Sequence, residues 1–513
     1  MTGTSVAELR DRIASGKIDA VELVEQGLGR IREMDADLKA MIEVNPDATE
    51  IAKGLDAERR DETVRGPLHG VTVVLKDNIA TFDRMETTAG SLALVGATPK
   101  RDSFVAKRLR EAGAVILGKT NLTEWANIRS QYSISGWSGR GGQTVNPYQL
   151  DRNPSGSSSG SGVAVAAGYA PLAVGTETNG SIVSPSGMCG IVGIKPTVGL
   201  VSRAGIIPIS HMQDTAGPMA TTVADAALLL TVLAGDDPDD PAQRHDGDPG
   251  PIPYPARPDG WSQGIDYTAF LDADGLKGAR IGVLRPEVTN REPVRGIYNA
   301  ALAALRAAGA EVIDGLELPH AKDFGTSSHV LDAMLWDFKN DLAAYLRDYV
   351  DDHFPIRTLS DVIAFNRDHA DKEMPWFGQD LFELAETKRT LDDPEYIQIV
   401  STVQRWGREE GIDFLMREHR LDALVAPTNL PAARIDVVNG DRLAGGSSTA
   451  SAVAGYPIVT VPMGDAYGLP VGLSFMGGAY SEPALIRLAY AYEQATQHRK
   501  EPTFAAGGLL PPG

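Results

Sequence analysis

Two continuous apolar runs with a helical pattern between them determine the architecture of the first part of the chain. HGVTVVLKD (His69 to Asp77) and AVILGK (Ala114 to Lys119) are too apolar for strands with one face in water. SFVAKRLREAG, which lies between them, has the spacing of an amphipathic helix. This order predicts a βαβ crossover, in which helices cover both faces of a sheet with parallel strands.

The same alternation returns in the second half of the chain. ARIGVLRP, PVRGIYNAALAALRAAG and AEVID again predict a strand, a helix and a strand, and three more apolar runs follow between Leu421 and Gly477. We therefore predict an α/β fold in which one large domain holds a mixed β-sheet covered by helices on both faces.

Three further segments complete the predicted organisation. We expect residues 1–65 to be an N-terminal helical segment packed on the core of the main domain, residues 66–513. A mostly helical insertion is predicted at about 320–420, where the sequence is polar and acidic. Residues 235–260 are rich in Pro, Gly and Asp, and we predict a solvated surface loop there because βα units lie on both sides.

Charge and composition narrow the classes of partner. The net charge is −20, which argues against nucleic acid and anionic membranes as partners. We see neither a signal peptide nor 18 consecutive apolar residues, so we expect a cytoplasmic protein without a membrane span. The nine histidines are scattered and Cys189 is the only cysteine, so we expect no disulfide and no metal site. We expect a monomer or a homodimer.

The stretch PSGSSSGSGVAVAAGYAPLAVGTETNGSIVSP, from Pro154 to Pro185, places a run of Ser and Gly directly against apolar sequence. A flexible linker would not continue into buried sequence, so a glycine-rich turn that enters a buried element fits better. GSSSG also matches the G-x-S-x-G elbow of α/β-hydrolases, with Ser158 as nucleophile. That motif needs a strand immediately before it, whereas NPYQLDRNP contains two prolines and predicts a turn.

Two other classes of nucleophile fit the sequence less well. No lysine has Ser three residues before it, which excludes the S-x-x-K enzymes. Cys189 lies in SGMCGIVGIKP, where no His or Asn is close in sequence, and we predict that it is a small buried residue.

A polar turn and a distant lysine offer a different chemistry. GTETNGS, from Gly175 to Ser181, can aim successive backbone N–H groups at one point and so form an anion-binding nest. Lys76 ends the apolar run VTVVL, where burial would lower its pKa and let it act as a base. The alternative for Lys76 is an exposed charge at the end of a strand.

The motifs VVLKDNI, PSGSSSGSG, GTETNGSIVSP, GIVGIKPTVGLVS and DTAGPMA together resemble the amidase signature family in residue type, order and spacing. Ser157 and Ser181 are 24 positions apart, as are the two serines of the family's Ser–Ser–Lys triad. The resemblance implies that carboxamides are hydrolysed through an acyl-enzyme without a cofactor. Ser181 would be the nucleophile, Lys76 the base, and Ser157 the middle serine, preceded by a cis peptide bond from Gly156.

The turn that carries Ser181 matches the family's oxyanion hole but departs from its usual signature, T-D-x-G-G-S-I-R. The resemblance assigns the oxyanion hole to Thr178, Asn179, Gly180 and Ser181. This chain has Glu177, Asn179 and Val183 where the signature has Asp, Gly and Arg. Because the Arg is lost, an ion pair with the acidic residue is lost too, and we expect the loop to have less support.

Two longer stretches, NLTEWANIRSQYSISGWSGRGGQTVNPY and RTLSDVIAFNRDHADKEMPWFGQDLFELAE, resemble bacterial peptide amidases, which remove the C-terminal amide of peptides. On this likeness we predict that Trp125, Asn127 and Gln131 contact the substrate, with a place in the core as the alternative for Trp125. We also expect the acidic, aromatic segment MPWFGQD to form an acidic rim that tolerates neutral and basic residues beside the amide.

Three other functions stay open at this point. The chain could hydrolyse fatty, aryl or small aliphatic amides. It could be the glutaminase subunit of a tRNA-dependent amidotransferase, or an amide-binding protein without activity. The intact set of Lys76, Ser157 and Ser181 argues against the last, because a binding protein needs no base and no serine pair.

Overall fold

A mixed sheet of eleven strands runs through the computed structural model, which describes residues 4–243, 252–258, 264–441 and 446–508. Two further strands, β4 and β5, form a small hairpin outside it. The strands are β1 Met41–Val44, β2 Thr72–Lys76, β3 Val115–Thr120, β4 Trp137–Ser138, β5 Gly142–Gln143, β6 Leu172–Glu177, β7 Val192–Lys195, β8 Thr215–Ala220, β9 Arg280–Leu284, β10 Glu311–Leu316, β11 Ala423–Pro427, β12 Ile458–Ala466 and β13 Leu469–Met476.

Helices connect and cover these strands. They are α1 Val6–Ala14, α2 Ala20–Leu38, α3 Ala48–Arg60, α4 Phe104–Glu111, α5 Ser159–Ala166, α6 Val183–Met188, α7 Val223–Leu233, α8 Val294–Ala307, α9 Ala321–Thr326, α10 His329–Tyr349, α11 Leu359–Asp368, α12 Ala370–Glu373, α13 Asp380–Glu386, α14 Pro394–Gly407, α15 Asp413–His419, α16 Thr449–Ala454 and α17 Glu482–Thr496.

The strand order in the large sheet is β1-β3-β2-β6-β8-β7-β12-β13-β11-β9-β10. Strands β2 and β3 pair in parallel across α4, and β9 and β10 pair in parallel across α8, so both predicted βαβ units are confirmed. Six other pairings, from β3 with β1 to β11 with β13, are antiparallel, which makes the sheet mixed as predicted.

Successive residues of β2 show why the apolar run is continuous. Val73 and Leu75 pack into a core with α1, α4, α7, α8 and α17, whereas Val74 packs into a second core with α2, α3 and α5. All five residues of β2 are buried. The sheet therefore has helices on both faces, and the predicted fold class is confirmed.

The N-terminal segment and residues 321–419 are both rich in helices. Residues 1–65 contain α1, α2 and α3, but also β1, which adds an edge strand to the sheet by pairing with β3. Residues 321–419 form a succession of helices, α9 to α15. The division of the chain at residue 65 stays a prediction.

The segment at 235–260 is less solvated than its composition suggests. Its described part, residues 235–243 and 252–258, contains the buried carboxylates Asp237 and Asp240. Asp240 forms an ion pair with Arg203 at 2.6 Å, and Asp237 accepts a hydrogen bond from Ser202. These contacts hold the described part against the domain; the remaining residues of the segment lie outside the described ones.

Candidate active site

The Ser/Gly stretch is a buried loop that leads into α5. The Gly156–Ser157 peptide bond is cis, and the Ser157 carbonyl accepts a hydrogen bond from the Thr123 N–H at 3.1 Å. A Cβ atom on Gly156 would lie 2.2 Å from Thr123 Oγ1, so only glycine fits at this position. Every residue of α5 is buried. The loop is mostly buried, borders a cavity at Ser155 and Gly156, and is not a linker.

Lys76 is the last residue of β2, and its side chain contacts this loop. Its Nζ lies 2.7 Å from Ser157 Oγ, 2.8 Å from Thr176 Oγ1 and 3.2 Å from the Thr176 carbonyl oxygen. A neutral amine has two N–H donors and one lone pair, so it can donate to both Thr176 oxygens and accept from the Ser157 hydroxyl. These three contacts therefore suit an uncharged Lys76.

The surroundings of Lys76 favour that uncharged form. The side chain is fully buried, and burial lowers its pKa from 10.5 to about 7. The negative charges of Asp214 and Glu177 oppose this shift but do not cancel it. Lys76 is thus not an exposed charge at a strand end, and it can exchange a proton near neutral pH.

Glu177, at the end of β6, supports the turn that follows it. Its carboxylate accepts hydrogen bonds from the backbone N–H of Gly180 at 2.8 Å, Ile182 at 2.8 Å and Val183 at 3.0 Å. The longer side chain of Glu replaces the ion pair expected from an Arg, so the expectation of a poorly supported loop is wrong. The Gly180 N–H, which was expected to donate in the oxyanion hole, is therefore already hydrogen-bonded to Glu177.

Three other N–H groups of the turn remain available. The backbone N–H groups of Thr178, Asn179 and Ser181 have no hydrogen-bond acceptor within the described residues. The Ser181 hydroxyl likewise makes no hydrogen bond there, and Ser181 lines a large cavity. Free N–H groups beside a free hydroxyl can stabilise a negative oxygen on a carbon that the hydroxyl attacks.

Side chains from distant segments hold the turn in place. Thr178 Oγ1 donates to Asp214, which also accepts from the N–H groups of Ile209 and Ser210. Asn179 Oδ1 accepts from Ser448 Oγ at 2.7 Å. Sequence reasoning missed Asp214 and Ser448. For Asp214 the signal was present in the motif DTAGPMA, but nothing in the sequence connects Ser448 with residue 179.

Replacing Glu177 by Ala should lower the free energy of unfolding by about 1–3 kcal/mol, because buried N–H groups then lose their acceptor. Urea unfolding followed by circular dichroism measures this. Glu25→Ala, at a half-exposed carboxylate on α2, is the control and should stay within about 0.5 kcal/mol of the parent. Equal effects of the two changes would show that the Glu177 contacts are not needed to hold the turn.

Ser158 and Cys189, the two alternative nucleophiles, are both buried. Ser158 Oγ is fully buried, donates to the Thr176 carbonyl at 3.0 Å and accepts from the Thr176 N–H at 3.2 Å. The residues immediately before it form no strand in the described chain, as the elbow motif would require. Cys189 is buried, as predicted, and burial raises its thiol pKa.

The cavity above Ser181 has a volume of about 840 Å³. Asn127 lines it, and its contact with the substrate stays a prediction. Trp125 does not line it: its indole is 1% exposed and packs edge-on against Phe338 and Phe382, so the core alternative is correct. Gln131 is exposed outside the cavity, where its N–H donates to Asp380, so its assignment to the substrate site is also wrong.

The charges around the cavity differ from the expected acidic rim. Among the residues that the structure describes, three arginines and two acidic residues line it: Arg152, Arg291, Arg434, Glu292 and Asp441. The segment MPWFGQD contributes none of the lining residues. Phe377 of that segment packs instead on Trp137 and under the Arg129 guanidinium. The prediction of an acidic rim is therefore wrong.

A model of the amidase family matches residues 22–486, which is most of the chain. The chain belongs to the amidase signature family. It is an amidase, a hydrolase that acts on amide bonds, and the fold described above is that of the family.

Relatives of this amidase include enzymes and one component of a larger enzyme. The crystal structure of the native peptide amidase from Stenotrophomonas maltophilia is 49% identical, with a TM-score of 0.91 over 98% of this chain and 99% of that one. A probable amidase of Arabidopsis thaliana is 41% identical over 98% of this chain and 92% of its own length. A glutamyl-tRNA(Gln) amidotransferase subunit of Chloroflexus aurantiacus is 34% identical over 97% of this chain and 98% of its own length.

The described part of this amidase shows neither a membrane-spanning helix nor a cluster of metal ligands. No helix there is both long and apolar enough to cross a membrane. No group of three or more His, Cys, Asp or Glu side chains there is arranged to hold a metal ion.

Proposed function

We propose that this amidase hydrolyses the C-terminal amide of peptides through Ser181, Ser157 and Lys76. The observation that carries the proposal is the 2.7 Å hydrogen bond between Ser157 Oγ and a buried Lys76 whose pKa is about 7. A lysine with that pKa is a base at neutral pH, and its partner is the serine that the family motif places in the middle of the triad.

The proposed reaction begins with two proton transfers. Neutral Lys76 takes the proton of the Ser157 hydroxyl while Ser157 takes the proton of the Ser181 hydroxyl. Ser181 Oγ then bonds to the carbonyl carbon of the substrate amide, and the π electrons of the carbonyl move to its oxygen. After these transfers Ser157 carries the proton that left Ser181, and Lys76 is an ammonium ion that carries the proton from Ser157.

The negative oxygen of this intermediate lies in the turn after β6. The unpaired N–H groups of Thr178, Asn179 and Ser181 are its donors in this proposal, and Glu177, Asp214 and Ser448 keep them in position. Fixed donors of this kind contribute much of the rate enhancement in acyl transfer, about 3–4 kcal/mol for a single donor.

Collapse of the intermediate releases ammonia. The C–N bond breaks as the electrons on oxygen re-form the carbonyl, and Lys76 returns its proton through Ser157 to the leaving nitrogen. A water molecule then attacks the Ser181 ester with the same base, which gives the carboxylate product and free Ser181.

A peptide substrate is supported by the relatives and by the size of the cavity. The solved structure that is 49% identical is a peptide amidase, and a related structure holds the inhibitor chymostatin. The cavity of about 840 Å³ is at the upper end of the range for small-molecule sites, which suits a substrate of several residues. The likeness to a component of an amidotransferase, at 34% identity, favours glutamine as the second candidate substrate.

Ammonia release from a substrate panel tests the assignment. The panel contains tripeptide amides, hexadecanoyl amide, a small aliphatic amide and free glutamine. We expect kcat/KM for the peptide amides to exceed that for each of the others by at least tenfold, which is about 1.4 kcal/mol. A tenfold preference for glutamine or for a fatty amide would contradict the peptide assignment and leave the amidase activity intact.

A further inference from the structure

Arginine is concentrated at the cavity of a strongly acidic protein. The whole chain has a net charge of −20, yet three of the five charged residues that line the cavity in the described part of the chain are arginines. Local charge of opposite sign to the whole is what a binding site for an anion requires.

Arg291 is the strongest of these groups as a ligand for an anion. It is exposed, it lies between β9 and α8, and its guanidinium forms no ion pair or hydrogen bond within the described residues. The neighbouring acidic residue does not neutralise it, because Glu292 is paired with Arg295 at 2.7 Å and accepts the Gly296 N–H. The charge of Arg291 is therefore uncompensated in the free enzyme.

Arg152 and Arg434 add to this charge from another part of the chain. They are joined by a single backbone bridge, and both guanidinium groups share the carboxylate of Asp151, at 3.4 Å and 3.3 Å. Because the two arginines share one carboxylate, this group of three side chains keeps one net positive charge. The remaining acidic group, Asp441, accepts hydrogen bonds from the Ser135 N–H and the Asn153 side chain, so it is already engaged by neighbouring donors.

We propose that Arg291, with Arg152 and Arg434, forms a subsite for a carboxylate on the acyl part of the substrate. The preferred substrates are then amides whose acyl chain carries a carboxylate, such as a peptide amide with an acidic residue before its C-terminal residue. For peptides this inference rests on the proposed function. A guanidinium can bind a carboxylate through two parallel hydrogen bonds, so it recognises the group by shape as well as by charge.

Paired substrates test the subsite. Tetrapeptide amides carry either Glu or Gln at one, two or three positions before the C-terminal residue, in an otherwise neutral sequence. At the best position we expect kcat/KM for Glu to exceed that for Gln about fivefold at low salt, the effect of an exposed ion pair. The ratio should fall towards one in about 0.5 M salt, because screening shortens the range of the charge.

Variants of Arg291 identify the residue responsible. Arg291→Gln should reduce the Glu/Gln ratio to about one-half or less of its original value, and Arg291→Glu should favour Lys over Gln at the same position. A reversal of preference cannot result from loss of folded protein. Arg306→Gln removes the same charge from the far end of α8, outside the cavity, and should leave the ratio unchanged.

A second pair of substrates separates this inference from the peptide assignment. Glutaramic acid ends in a carboxylate and pentanamide ends in an uncharged methyl group. Neither compound contains a peptide bond. If peptide amides are hydrolysed without preference for Glu, the subsite is wrong and the proposed function stands. If no peptide amide is hydrolysed, the proposed function is wrong, and the ratio for this second pair decides whether the subsite exists.

Discussion

Replacing Ser181 by Ala is expected to reduce amide hydrolysis by about four orders of magnitude or more. Removal of a nucleophile prevents the acyl-enzyme from forming, and the remaining site can only orient the substrate. The hydroxyl makes no hydrogen bond within the described chain, so its loss should not disturb the fold. Ammonia release and the circular dichroism spectrum together measure the two effects.

Ser158→Ala is the matched comparison for this variant. It removes the same atom from the neighbouring buried loop, where the hydroxyl bonds only to the backbone of Thr176. We expect it to keep activity within about tenfold of the parent, as loss of a neutral hydrogen bond costs about 1 kcal/mol. If Ser158→Ala is inactive and Ser181→Ala is active, the hydrolase elbow is the correct description.

Lys76→Ala is expected to lower kcat/KM by at least about a hundredfold, the lower end for loss of a general base. In the proposed mechanism Lys76 acts when neutral, so its pKa of about 7 should set the acid side of the pH profile of the parent enzyme. The neutral fraction is about one-tenth at pH 6 and about nine-tenths at pH 8, so activity should rise with pH over this range. The measurement is kcat/KM against pH with one peptide amide.

The pH profile separates catalysis by Lys76 from a role in packing. In Lys76→Ala the rise around pH 7 should disappear from whatever activity remains, whereas a packing defect would lower the curve without changing its shape. A variant that keeps the parent's acid limb would contradict the assignment of Lys76 as base. Lys119 is the control position: it is also a fully buried lysine, but its Nζ bonds to Ile79 O and Thr87 Oγ1, away from the serines.

The parts of the fold that could be predicted are those that a short stretch of sequence determines. An apolar run such as that around Val74 must be covered on both faces wherever it lies, so the strands, the helices and the α/β class follow from pattern alone. The spacing of Ser157 and Ser181 could be predicted because both lie in one continuous stretch of sequence, in the loop before α5 and the turn after β6.

The errors concern residues whose surroundings come from distant segments. Trp125 has the type of side chain that binds substrates, but Phe338 and Phe382 enclose it, and neither is near it in sequence. The cavity charge was mispredicted for the same reason. Arg152, Arg291 and Arg434 are far apart in sequence, and only the folded chain places them around one space.

The place of the last strands in the sheet has a consequence for how this enzyme is made. Strands β12 and β13 lie in the middle of the sheet, between β7 and β11, although they are the last to leave the ribosome. Until they insert, β7 has an open edge, and the segment just before β12 must still bring Ser448 to Asn179 across 269 positions of sequence. A chain that is still being synthesised therefore holds its serines and its lysine without a finished oxyanion turn. We therefore expect hydrolysis to require the C-terminal strands, so that activity reports on the completed sheet.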